Sequence, residues 1–173
     1  MKRTLLTILF LILPFAAFAQ LKVGIMHPDD VLDALPETAQ MEAELQQYIQ
    51  ERQQSFEARY QDWIDEITEF SERVERGELS NAEERREQER LTEKERELNN
   101  LQNRIQNQIQ QRQNELFTPL LNRVEEAMAT VSSELGIDFV INRQTTQGDP
   151  IVYYASERAT DITDNVIEKL TQN

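Results

Sequence analysis

The sequence predicts an α+β protein: a small β body carrying a long antiparallel helical hairpin, a coiled-coil-like arm. Three observations carry this reading. Residues 37–76 hold no glycine or proline and place apolar side chains at gaps of three, four and seven, the spacing of one helical stripe. Residues 81–135 repeat that spacing. Residues that favour strands are confined to three short runs, 21–26, 137–142 and 150–155, far too little sheet for a β protein.

The first residues read as a targeting signal. Lys2 and Arg3 precede a nearly apolar run from Leu5 to Leu13, Pro14 breaks it, and Ala17-Phe18-Ala19 supplies a small-x-small cleavage pattern. The run is too short to anchor the chain in a bilayer. Residues 1–19 are therefore expected to be a signal peptide cut after Ala19, with the mature chain released to a bacterial periplasm. The whole chain has no cysteine, so a lipid-anchored form is excluded with disulfides, thiol nucleophiles and Cys-ligated metals.

After the Leu21–Met26 strand, Pro28 opens a short helix with Asp29 and Asp30 facing its positive end. That helix should stop before Pro36. The first long helix carries Met41, Leu45, Ile49, Phe56, Tyr60, Trp63, Ile64, Ile67, Phe70 and Val74 on its stripe. Gly77-Glu78-Leu79-Ser80 turns the chain, and Ser80 with Glu83 makes a capping box for the second helix. That helix runs from Asn81 to Leu135 and ends at Gly136. Its segment 83–97 holds twelve charges around a single large apolar residue, Leu91, so the tip is expected to be loosely held. The base pairing expected here sets Trp63, Ile64 and Phe70 opposite Leu98–Ile109. Pro119 interrupts the second helix and is the candidate hinge.

Beyond Gly136, residues 137–142 and 150–155 read as two strands of a hairpin, with one of Tyr153 and Tyr154 packed and the other outward. A last helix is expected near Asp161, capped by it with Asp164 at the third position. This divides the chain into 20–36 and 136–173 as the β-rich body and 37–135 as the hairpin, its tip near 77–80. Three short strands cannot bury much alone and leave open edges, so several copies should close their strands into a shared body.

Composition excludes more than it assigns. The formal charge is −14, or −16 once Lys2 and Arg3 are removed, which argues against nucleic acid as a partner and against an anionic membrane surface. One histidine and no cysteine leave no nucleophile–base constellation, so no enzyme, cofactor or metal is expected. Asp29, Asp30 and Asp33 could form a carboxylate site, but charge compensation at the helix start explains two of them. Acidic clusters without a D-x-D-x-D-G loop read as solvated helix faces, not calcium ligands.

The order and spacing of several segments resemble one family. They are the signal peptide, Val31-Leu32…Leu35-Pro36-Glu37, the long charged hairpin, Glu115-Leu116-Phe117-Thr118-Pro119-Leu120-Leu121, Leu135-Gly136-Ile137-Asp138-Phe139-Val140-Ile141 and the closing Asp161-Ile162-Thr163-Asp164-Asn165-Val166-Ile167. In these the chain resembles the Skp/OmpH-like periplasmic chaperones along essentially its full length. The resemblance implies a homotrimer with a β-barrel-like body and three helical arms around a cavity. It implies an ATP-independent holdase that encloses unfolded outer-membrane β-barrel proteins and prevents their aggregation. Well-known members are basic; this chain is acidic, which speaks against an electrostatic funnel. The residues alone also leave open a structural coiled-coil tether or adaptor of the cell envelope.

A holding surface needs apolar and aromatic groups in reach of an unfolded chain. Phe56, Tyr60, Trp63, Ile67, Phe70 and Phe117 are the candidates for client binding, with Ile105, Ile109 and Leu116 behind them. Val23, Ile25, Ile137, Phe139, Ile141, Val152 and Tyr154 are the candidates for the oligomerisation body.

Overall fold

A computed structural model describes residues 21–145 and 148–172. The signal peptide and its cleavage point lie outside the described residues. In chain order the elements are β1 (Val23–Met26), α1 (Pro28–Asp33), α2 (Pro36–Glu75), α3 (Asn81–Leu135), β2 (Phe139–Asn142), β3 (Thr160–Asp161) and α4 (Thr163–Thr171). The protein is thus α+β, mostly helical, with a long helical hairpin and a small parallel three-stranded sheet. It divides into two compact units, Glu37–Leu120 and a second unit that takes in the residues up to Pro36 and those from Leu121 onward. The second unit takes in the last turns of α3, where Val124, Ala127 and Val131 are buried and Glu134 pairs with Lys169. Pro119 lies within α3, which runs through it unbroken.

Local chemistry sets the ends of the long helices. At the hairpin turn, Gly77 has φ +66°, its N–H donates to the Val74 carbonyl at 3.0 Å and the Glu78 N–H to that of Arg73 at 3.0 Å. This is a Schellman closure, which needs a left-handed residue that glycine adopts without strain. Leu135 is followed by the same motif: Gly136 has φ +64°, and the Ile137 N–H donates to the Ser132 carbonyl at 2.8 Å. At the start of α3 the Ser80 N–H donates to Glu83 Oε2 at 2.9 Å and the Ser80 hydroxyl to the same oxygen at 2.6 Å. The Glu83 N–H in turn reaches Ser80 Oγ at 3.4 Å. Ser80→Ala is expected to cost about 1 kcal/mol, read as a lowered urea midpoint of the helical signal.

Cross-helix contacts fix the hairpin register. Glu44 pairs with Arg112, the Trp63 indole N–H donates to the Leu91 carbonyl at 3.2 Å, and Glu66 pairs with Arg90 at 2.9 Å. Leu98–Ile109 therefore stands level with the Ile49–Phe56 part of α2, not with Trp63–Phe70 as the apolar spacing alone suggests. Trp63 and Glu66 instead meet the charged segment around Leu91. Leu91, its one large apolar residue, is buried, so the tip half is tied more firmly than its composition implies.

In the second unit β1 is central: the sheet order is β2-β1-β3, and both pairings are parallel. Val23 and Ile25 stand beside Phe139 and Ile141 in register. Gly24 lets the strands close up, since a Cβ there would lie 3.1 Å from Ile137 Cγ2. Two sequence expectations fail here. The 150–155 run is not a strand, and the hairpin it implied is reduced to one antiparallel bridge, Gln144 to Pro150. The place beside β1 goes to Thr160–Asp161, held there because the Ile162 N–H extends the ladder to the Ile25 carbonyl at 2.9 Å. Tyr153 and Tyr154 do not alternate between inside and outside; they are 88% and 84% exposed.

The core of this unit comes from every element around the sheet. Ile25, Met26, Val31, Leu35, Val124, Val131, Ile162, Val166 and Leu170 are buried, each worth about 1.5–3 kcal/mol when fully covered. α1 packs on α4, and Lys169 pairs with Glu134 of α3 at 2.7 Å. The final helix starts at Thr163, one residue later than a cap at Asp161 implies, because Asp161 still pairs with β1. The Asp161 carboxylate accepts from the Thr163 N–H at 3.0 Å and hydroxyl at 2.6 Å. Burial pushes that carboxyl up, but the two Thr163 hydrogen bonds outweigh it and hold the group below the usual aspartate value. Asp164 accordingly sits at the second helical position, not the third.

Candidate functional site

In the hairpin unit the aromatic candidates of α2 form one continuous run. Phe56, Tyr60 and Trp63 recur at helical spacing; the first two rings stack at 6.2 Å and the second pair meet at 5.7 Å, tilted 51°. Tyr60 is exposed, while Phe56, Trp63, Ile67, Phe70 and Phe117 are half-buried. They share their area between the partner helix and solvent, so the stripe zips the hairpin and still leaves apolar edges outside. Beside Trp63 lies an open groove of about 470 Å³ lined by Arg59, Asp62, Lys94, Leu98 and Leu101 among others. Further along α2 the Arg52 guanidinium lies over the Tyr48 ring at 4.7 Å, a cation–π contact that neither charge nor apolar spacing signalled.

A charge cluster braces the groove. Glu66 Oε1 accepts from Lys94 Nζ at 2.5 Å and Oε2 from Arg90 at 2.9 Å, and Arg90 also reaches Glu87 at 2.6 Å. The hydrogen bond from Lys94 holds the Glu66 carboxyl below the usual range against the opposing effect of burial, with Arg90 adding to it. Arg90 likewise lowers Glu87, and the Ser80 hydroxyl lowers Glu83. A carboxyl whose folded-state pKa is depressed stabilises the fold above its unfolded value and loses that contribution as pH falls through the folded one. The hairpin's urea midpoint should therefore hold from pH 7 to about 5 and fall below about pH 4. Glu66→Gln should flatten part of that slope and cost at most about 1 kcal/mol at pH 7, because the pair is partly exposed.

In the sheet unit, β2 is an edge strand. Phe139 and Ile141 on it are 60% and 40% exposed, and its outer backbone groups have no strand beside them among the described residues. Ile25 is buried, whereas Val23, Ile137 and Val152 are half-buried. The sheet holds four of the seven body candidates, Val23, Ile25, Phe139 and Ile141; Ile137 lies just ahead of β2 beside Gly24, and Val152 and Tyr154 lie outside the sheet. Neither unit, among the described residues, gathers three or more His, Asp or Glu side chains in a metal-holding arrangement. What the two units present are half-buried and exposed aromatic edges on α2 and an edge strand with exposed apolar side chains.

The family model described as Outer membrane protein (OmpH-like) matches residues 22–170, and the chain belongs to this Skp/OmpH family. The family consists of periplasmic chaperones, not enzymes, that bind unfolded outer-membrane proteins. No curated protein matches the chain.

Proposed function

We propose that this protein is an ATP-independent periplasmic holdase that encloses unfolded outer-membrane β-barrel proteins as a homotrimer and prevents their aggregation. The observation that carries the reading is the β2 edge. A three-stranded sheet with Phe139 and Ile141 in the open is a poor end state for one chain, and shared closure by several copies covers both the apolar groups and the unpaired backbone. The hairpin then supplies the holding surface. Phe56, Tyr60, Trp63, Ile67, Phe70 and Phe117 offer many weak apolar contacts, which suits reversible capture of varied sequences. Pro119 removes the N–H that the Glu115 carbonyl would otherwise receive, and it is the hinge in this reading. Residues 1–19 direct export and are cut after Ala19.

Mass in solution, with and without a urea-unfolded outer-membrane barrel protein diluted into the mixture, tests the proposal. The expected result is a trimer that takes up one client and suppresses its aggregation at one client per three chains. A monomer that leaves aggregation unchanged would remove it. An envelope tether would instead bind a single folded partner and ignore unrelated unfolded barrels.

A further inference from the structure

One stretch of the hairpin departs from the rest of the molecule. Between Leu98 and Asn114 there is no aspartate or glutamate, although the chain as a whole carries −14; eleven of these seventeen residues are Asn or Gln. The apolar seam here is Leu98, Leu101, Ile105 and Ile109. Opposite it, at gaps of three and four, stand Asn100, Asn103, Asn107, Gln110, Gln111 and Asn114, all exposed. Gln110 donates to Asn114 at 3.3 Å and Gln111 to Glu115 at 2.8 Å. Asn100, Asn103 and Asn107 make no side-chain hydrogen bond among the described residues.

A face that only needs water is built differently in this protein. Elsewhere the exposed helix surface is mostly Glu, Arg and Gln, many of them paired, as in Arg96–Glu93, Arg76–Glu72 and Gln47–Glu51, residues that also favour the helix. Asparagine is a poor helix former, because its side chain competes for nearby backbone groups. Four of them on one uncharged face run against the needs of a long helix, and such local conflict marks a site with another task.

We infer that this amide stripe binds the main chain of an unfolded polypeptide. A carboxamide carries one acceptor and two donors, the same complement that a peptide unit presents. It can therefore pair with any peptide group in an extended segment regardless of the side chains. The stripe from Asn100 to Asn114 runs about 21 Å, the length of about six extended residues. Being neutral, it is also a window in a strongly acidic surface, where client carboxylates meet no repulsion. An anionic lipid or nucleic acid is a poor match: Arg104 and Arg112 are the sole charges in the stretch, and Arg112 is engaged with Glu44 and Glu115.

The inference rests on the holdase reading and is tested so that the two fail separately. The full chain is titrated with a fluorescently labelled, urea-unfolded outer-membrane barrel protein, beside a variant carrying Asn100→Ala, Asn103→Ala, Asn107→Ala and Asn114→Ala. Alanine strengthens the helix, so the variant folds. The expected result is an unchanged oligomer mass with affinity weakened about tenfold, and wild-type affinity that moves less than about threefold between about 0.05 and 0.5 M salt. In the wild type, the side-chain amide resonances of Asn103 and Asn107 should shift on adding client. A variant that binds as tightly as the wild type, or wild-type binding that collapses with salt, overturns the stripe and leaves the holdase reading standing. A variant with altered oligomer mass shows an interface between copies and overturns it as well. A wild type that binds no unfolded chain brings down both.

Discussion

Replacing Phe139 and Ile141 by lysine is expected to leave the protein as monomers that no longer suppress client aggregation. Both side chains are largely exposed on the edge strand, at 60% and 40%, so neither substitution removes a buried core group. The cost falls on association. Two apolar groups of this size, covered in an assembly, contribute about 2–4 kcal/mol per chain, and lysines repeated around a closed ring would face one another. The change is therefore large for the assembly and small for the single chain. Light scattering should read one-third of the wild-type mass, with the helical signal kept. A double variant that retains the wild-type mass would show that the β2 edge is not the joining surface.

The second large effect is expected at Ile162. Its side chain is fully buried, and its N–H donates to the Ile25 carbonyl at 2.9 Å, so one residue joins the sheet to the start of α4. Ile162→Ala removes three carbons from a core that has few to spare. Lost transfer energy and the residual cavity together come to about 3–4 kcal/mol. The sheet unit should unfold at distinctly lower urea, followed by loss of hydrogen-exchange protection at the N–H of position 162, whose bond to the Ile25 carbonyl exists only while the sheet is closed. Ile162→Val, which leaves most of the volume, should cost about 1 kcal/mol. Equal effects of the two substitutions would show that packing at Ile162 is not what holds the unit.

The helical hairpin is plain in the residues because several signals agree: a long apolar stripe, a glycine able to close the first helix, and Ser80 with Glu83 to open the second. Where one signal stood alone it misled. The Val- and Tyr-bearing 150–155 run has strand composition, but β propensity reflects fit to a half-buried pleated surface, and this chain offers that run no place beside β1. The strand that does pair, Thr160–Asp161, is two polar residues long and carries no pattern to find; its place is set by burial of Ile162 and Val166. The hairpin register was equally invisible to spacing, since a stripe says which face is inward but not which turn it meets. The Glu44–Arg112 and Glu66–Arg90 pairs decide that. Of the holding surface, the aromatic run could be read from helical spacing. The amide stripe could not be seen by a search for apolar or charged patterns, although a windowed charge count over 98–114 exposes it.

The parallel sheet has a consequence for the order of events in the cell. Its middle strand is made first and both flanking strands last; Lys22 and its partner Asp138 are 116 positions apart. The helical hairpin, built from near neighbours around Gly77, can form while the remainder of the chain is still emerging. Closing the sheet must wait for the final residues. Any premature stop before Thr160 would thus leave the hairpin formed and β1 without its second neighbour.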